Sequence, residues 1–355
     1  MTTRIKLLTM CALFLATAVF AAGTIAFSDQ ATWTSAQAWG WHPMDTETYM
    51  ENYLLAMRTD EGAFLFCTFM VSNAGFGDHT PGAGIAFYTP AGAVISHDFK
   101  FNRKELTAST AGLDMRMGDL RLVKSGEQVR LVVPRGPVAL DLTVTPTAPL
   151  WRRQSGRMLL GNEKDVWNWA GLVARGRVAG KITFNGKTYD AAGLGYLDHT
   201  WSNKAFFDYS KNWLSTRIHG KKWTVNFVQM KTKDDKFVRT LMLARDGAAA
   251  QTAGAVNFQL LGQAKKEGYM HPTAFELRGQ AGTAQVTVTM RNGRYTEVVD
   301  PIRSLSAFER KAIQLLVAKP VLLRMQMDTT ITVTENGTTE SETLPAVASM
   351  LYFAD

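Results

Sequence analysis

The densest run of chemically versatile residues in this chain of 355 is Gly193-Leu194-Gly195-Tyr196-Leu197-Asp198-His199-Thr200-Trp201-Ser202-Asn203, followed by Asp208-Tyr209-Ser210-Lys211-Asn212-Trp213. A carboxyl kept protonated by apolar surroundings can give a proton to an alkene, and aromatic faces can stabilise the resulting cation. Asp198 and Asp208 are the candidate acids for such a reaction, with Tyr196, Trp201, Tyr209 and Trp213 as the aromatic wall. In a binding protein the same stretch would hold a ligand through Tyr196, Asp198, His199, Trp201, Tyr209 and Trp213. Trp201 and Trp213 offer broad apolar faces with one donor each, and Asp198 can bind a hydroxyl or amide head group. The structural alternative is that Asp198 and His199 satisfy backbone groups where two domains meet.

If this stretch is extended, side chains alternate between its faces. Tyr196 and Asp198 then share one face, and His199 and Trp201 the other. Asp198 and His199 cannot enter one cavity unless a bulge intervenes. On that geometry Asp198 faces the ligand, and His199 locks the motif by a hydrogen bond to the neighbouring domain.

The pattern Gly-x-Gly-Tyr-x-Asp-His-x-Trp, here Gly193 to Trp201, resembles the signature of a lipocalin-like superfamily. That superfamily contains carotenoid 1,2-hydratases (hydroxyneurosporene synthases), AttH-type proteins and the fungal survival-factor proteins that carry ceramide. The hydratases commonly carry glycine after the tryptophan, where this chain has Ser202. The resemblance implies an all-β protein of two consecutive lipocalin-like antiparallel β-barrels and a hydrophobic ligand.

The surrounding sequence supplies the strands. Runs such as Ala63 to Val71, and Ala139 to Thr145 with Leu140, Leu142 and Val144 alternating against Asp141 and Thr143, are separated by turn signals. About eight strand-like runs follow position 204, enough for a barrel just wide enough to hold one small ligand. Asn336-Gly337 marks a tight hairpin. One helix is expected over Ala307 to Ala318, capped by Ser304 or Ser306 and ended by Pro320. Trp151 to Trp169, with three tryptophans and several cations, reads as a long irregular connection.

Arg4 and Lys6 followed by the apolar run Leu7 to Phe20 have the form of a signal peptide. The expected organisation is a signal peptide over 1–26, a first lipocalin-like domain over 27–200 and a C-terminal barrel over 201–355. The expected location is the periplasm, cell envelope or extracellular space. Without the signal segment Cys67 is the only cysteine, so no internal disulfide is available. The formal net charge of +8 is scattered, which argues against nucleic acid and leaves a solubilising surface or a peripheral contact with anionic lipid headgroups. His42, His79, His97, His199, His219 and His271 show no zinc-ligand spacing, and neither a P-loop nor a Gly-x-Ser-x-Gly elbow occurs. No metal and no cofactor are expected. The first functional reading is carriage of a lipid or isoprenoid in a barrel cavity. The alternative is an acid-catalysed hydratase, isomerase or cyclase acting on an unsaturated isoprenoid such as a carotenoid.

Overall fold

Strand alternation carries most of the architecture. In Val138–Pro146, Val138, Leu140, Leu142 and Val144 are buried while Asp141 is exposed, so one face of the strand meets a core and the other meets water. The computed structural model describes residues 24–73, 78–301, 307, 310, 311 and 319–353. Its first fourteen strands are β1 (Ile25–Phe27), β2 (Met50–Thr59), β3 (Phe64–Ser72), β4 (Thr80–Tyr88), β5 (Val94–Lys100), β6 (Leu106–Ala108), β7 (Asp114–Met117), β8 (Leu120–Ser125), β9 (Gln128–Val133), β10 (Val138–Pro146), β11 (Arg157–Leu160), β12 (Val166–Phe184), β13 (Lys187–Asp190) and β14 (Gly193–Ser202). They form one sheet in the order β5-β4-β3-β2-β14-β12-β10-β9-β8-β7-β6, with β1, β11 and β13 paired beside that path. The sheet curls into a half-barrel.

A four-residue helix, α1 (Phe206–Tyr209), leads into the second unit. There β15 (Ser210–His219), β16 (Thr224–Thr232), β17 (Phe237–Ala244), β18 (Gln251–Lys266), β19 (Tyr269–Ala281), β20 (Ala284–Val299), β21 (Val321–Glu335) and β22 (Thr338–Tyr352) close into a barrel. The last hairpin turns at Asn336 and Gly337, with φ of 51° and 78°, the paired positive angles of a tight two-residue turn. The fold is thus all β and lipocalin-like, with the second unit closed and the first open along its edge strands β5 and β6.

Large side chains occupy the middle of the barrel interior. Ile218, Phe227, Phe275, Met325, Met327, Ile331 and Met350 are fully buried inside it. Phe258 stacks between Phe227 and Phe275, with ring centroids 6.3 and 5.3 Å away. Eight strands enclose a space that side chains can fill, and these large residues fill its middle. Side chains leave space at one end of the barrel, where core residues of the barrel itself line a hollow. That hollow, of about 310 Å³, is lined by Trp223, Leu243, Ala281, Ala284 and Val333, and an open one of about 650 Å³ lies in the first unit beside Trp39 and Lys124.

Three further expectations meet the structure. The helix over Ala307 to Ala318 falls mostly outside the described residues, of which Ala307, Arg310 and Lys311 are helical. The signal segment lies outside them as far as residue 23. Trp151 to Trp169 is not one irregular connection, because it contains β11 and the start of β12. Its alternation is hidden because both faces are covered, with Trp167, Asn168 and Trp169 all buried. Cys67 is fully buried in β3, and burial pushes its thiol well up, which keeps it a core residue and not a nucleophile.

The units meet outer face to outer face. On one side of the junction Trp151, Trp167, Trp169 and Tyr196 pack with Val228, Met230 and Met242 of the barrel. On the other, Phe64, Phe66 and Tyr88 pack with Val347. Asp198 stands between these clusters, paired in register with Gly171 of β12 and with Leu54 of β2.

Candidate functional site on the two faces of one strand

All ten residues of β14 are buried. The strand lies between β2 and β12, the sheet interior covers one face and the barrel covers the other. Gly193 allows the closest backbone approach, since a Cβ there would sit 2.3 Å from the Arg58 carbonyl oxygen. Tyr196 and Asp198 point to the junction, and His199 and Trp201 point into the half-barrel.

On the junction face, Arg217 of β15 donates from Nη2 to Asp198 Oδ2 at 3.0 Å, and its guanidinium lies 5.7 Å from the centre of the Tyr196 ring. Both members of this ion pair are largely buried. The apolar surroundings expected around the Asp198 acid are therefore replaced by a guanidinium. Around the pair is an unusual concentration of poorly satisfied polar atoms. Arg217 Nε is buried without a hydrogen-bond partner, and Tyr196 Oη, the Asn226 amide and the His219 ring are buried without a well-formed hydrogen bond, with Trp169 and Asn226 approaching the phenol and the Ala56 backbone approaching His219. Most buried polar atoms in native proteins do have partners, so such a cluster calls for an explanation. Burial, and then the charge of Asp198, hold the Tyr196 phenol well above its ordinary range, so it is a neutral O–H donor. Burial, followed by Arg175 and Arg217, pushes His219 down to about 3, so its ring is neutral. Gly171 makes room for the phenol, because a Cβ there would lie 3.3 Å from Tyr196 Oη and 3.1 Å from the Trp151 ring.

Arg175, also fully buried, clamps this region. It donates to Asp246 Oδ1 at 2.7 Å, to the Gly220 and Lys221 carbonyls at 2.9 and 2.8 Å, and to Thr224 Oγ1 at 3.0 Å. An aromatic chain runs along the junction from Trp151 through Trp169, Trp167, Trp213 and Phe206 to Tyr209, with centroid separations of 4.9 to 6.2 Å. Tyr209 is buried there with its hydroxyl unpartnered, and Trp213 donates its indole N–H to Ser210 Oγ at 2.8 Å. Asp208 does not join Asp198. It is exposed and caps α1 by accepting the Ala205 N–H at 3.1 Å, because the chain turns into a helix just before the barrel.

On the inner face, His199 does not bond to the neighbouring unit as expected, because strand alternation points it into its own. Its Nδ1 meets the Ala38 carbonyl at 2.7 Å and its Nε2 meets Glu51 Oε1 at 2.8 Å. A carbonyl only accepts, so Nδ1 carries a proton, and Nε2 and Glu51 share one more between them. Glu51 Oε2 also accepts from Tyr49 Oη at 2.7 Å and from the His42 backbone N–H at 2.9 Å. The His42 ring stacks on Trp201 at 4.0 Å, and the His199 ring on Tyr53 at 3.8 Å. Burial, and then the proximity of His199, push His42 down to about 3, so it is neutral.

Sequence reading missed Glu51, His42, Arg217, Asn226 and His219. Glu51 did carry a signal. Tyr49, Glu51, Tyr53, Leu55 and Met57 occupy alternate positions that are all buried, and a carboxylate among inward positions is rarely tolerated without a partner. Arg217 carried none, since its partner lies in the other unit.

A Diels-Alderase-like family model matches residues 133–259, a span with β14 at its middle. No curated protein matches the chain. Solved structures with the same fold include an AttH candidate from Nitrosomonas europaea, 16% identical, covering 92% of this chain and 98% of that one with a TM-score of 0.64. CghA with Sch210972 is 12% identical, covering 93% and 98% with a TM-score of 0.64. Kievitone hydratase from Nectria haematococca is 10% identical, covering 93% and 98% with a TM-score of 0.55. The chain therefore has the lipocalin-like fold of these proteins, and its Diels-Alderase-like segment contains the strand that separates the two polar clusters.

Proposed function

We propose that the protein is an enzyme of the hydratase, isomerase or cyclase class, acting on an apolar unsaturated small molecule at the junction of the two β units. One observation carries this reading: the Tyr196 hydroxyl and the Asn226 amide lie side by side, buried beside the Asp198–Arg217 pair without a well-formed hydrogen bond. Ligand sites favour places where two structural units meet and aromatic side chains surround a few convergent polar groups. Tyr196 and Asn226 are donors suited to an oxygen on which negative charge develops, as when a carbonyl conjugated to an alkene is activated. Asp198 is placed to take a proton from water or from a substrate carbon, with Arg217 fixing its orientation. Trp151 and Trp169 would line the apolar frame of the substrate. Carriage is the second reading, favoured by the hollow of about 310 Å³ that core residues line at one end of the barrel. The signal-like segment supports action outside the cytoplasm.

The test is incubation of the purified chain with a panel of prenylated enones and linear polyene ketones, read by mass spectrometry for gain of water, isomerisation or ring closure. Tyr196→Phe and Asp198→Asn should each lower turnover by about 10²-fold or more while binding persists. If the wild-type protein binds panel members without converting any, the protein is a carrier. If both variants convert substrate at the wild-type rate, the site is misassigned.

A further inference from the structure

We infer that His42, Glu51 and His199 form a binding site for a divalent transition metal of the zinc class, on the inner face of β14. The inference is independent of the chemistry proposed at the junction.

One donor atom from each residue lies within 4.8 Å of the other two. Glu51 Oε1 is 2.8 Å from His199 Nε2 and 3.9 Å from His42 Nδ1. With metal–ligand distances of about 2.0–2.1 Å, a tetrahedral zinc sets neighbouring donors about 3.3 Å apart. The two separations from Glu51 Oε1 bracket that value, and the two histidine nitrogens, no more than 4.8 Å apart, need only a side-chain adjustment to close on an ion.

The surroundings are those of a built ligand set. A metal-ligating histidine usually gives its other ring N–H to a carbonyl or carboxylate, which fixes the tautomer and the ring plane. His199 does this through Nδ1 to Ala38, leaving Nε2 turned toward Glu51. Glu51 Oε2 is held by Tyr49 and by the His42 backbone, while Oε1 faces the two rings. Each ring is locked by a stacking partner, Trp201 for His42 and Tyr53 for His199. His42 Nδ1 is buried without a well-formed hydrogen bond, with the Gly40 carbonyl near it and a carboxylate oxygen of Glu51 facing it at 3.9 Å. A bound cation accounts for that atom, and on entering it would displace the single proton that His199 and Glu51 share. The His42 side chain is 22% exposed, which gives an ion a route in. Two histidines and one carboxylate leave a coordination position open, as in sites where zinc activates water or polarises a carbonyl.

The full chain is equilibrated with Zn²⁺, dialysed against metal-free buffer and assayed for metal by mass spectrometry. Co²⁺ is used in parallel, with its visible d–d absorption reporting the ligand geometry. The expected result is one retained ion per chain and a zinc-dependent rise in the unfolding midpoint. His42→Phe keeps a ring on Trp201 but removes Nδ1, and should weaken binding at least about tenfold. Glu51→Gln should do the same, while His97→Ala, on β5, should change nothing. Failure of the wild-type chain to retain Zn²⁺ overturns the inference, as does equal retention by a folded His42→Phe variant. Circular dichroism confirms the fold of each variant, and His42→Phe decides the matter if Glu51→Gln fails to fold.

Discussion

The two faces of β14 treat their polar groups in opposite ways. On the inner face the Glu51 carboxylate is saturated by Tyr49, His199 and the His42 backbone, and the rings around it are stacked into place. On the junction face Asp198 has Arg217, but the phenol and amide beside it meet only each other and Trp169, without a well-formed hydrogen bond. The inner cluster is built from one unit and leaves a single ring nitrogen, His42 Nδ1, unsatisfied. The junction cluster is built from two units, which leaves donors pointing into the seam. A seam tolerates such incompleteness only if something else holds the units together. Arg175 and the two flanking apolar clusters do so.

The most damaging way to break this comparison is to remove the clamp. Arg175→Met would strip donors from two carbonyls, Thr224 and Asp246, and should destabilise the protein by about 3 kcal/mol or more in denaturant unfolding. An unchanged midpoint would mean that the apolar clusters alone carry the junction. Trp201→Ala tests the inner face. It removes the stack beneath His42 and the edge contact of Trp33 at 5.2 Å. It should cost about 3 kcal/mol while leaving the Asp198–Arg217 pair intact.

Acid sharpens the comparison further, because a histidine on each face has its pKa lowered to about 3: His219 at the junction and His42 inside. Both are neutral when folded, whereas in the unfolded chain they take up a proton below about 6.5. Their contribution to stability is therefore complete above that pH and is lost as pH falls from about 6.5 toward 3. Unfolding midpoints measured across that window should flatten in His219→Asn, and less so in His42→Asn because that ring is partly exposed. A wild-type midpoint that stays constant down to pH 4 would contradict both assignments. The smallest effect is expected for Gly171→Ala, which crowds Trp151 and Tyr196 at about 3.1–3.3 Å and should cost about 1–2 kcal/mol. It should lower turnover at the junction without altering the inner cluster.

Much of the fold was legible because its causes are local. The alternation in β10, the Asn336-Gly337 turn and the strand spacing after Ser210 all follow from backbone geometry and side-chain polarity. Strand alternation also placed Asp198 and His199 on opposite faces. The start of β12 was not legible, because a strand covered on both faces has no alternation to read. Nor was the stacking of Phe227, Phe258 and Phe275 within the barrel, since strand number sets the width of an eight-stranded cylinder but not which inward side chains meet at its axis.

By itself the sequence determined an all-β chain, a central Gly-x-Gly-Tyr-x-Asp-His-x-Trp strand, and the separation of that strand's polar residues onto two faces. The tertiary structure alone decided what those residues face. Asp198 meets Arg217, 19 residues away in the barrel, and His199 meets Glu51, 148 residues away in β2. The physical reason is range. Backbone conformation is set by neighbours along the chain, whereas a buried charge or ring must find its partner wherever sheet pairing and unit docking bring one, and no spacing in the sequence records that.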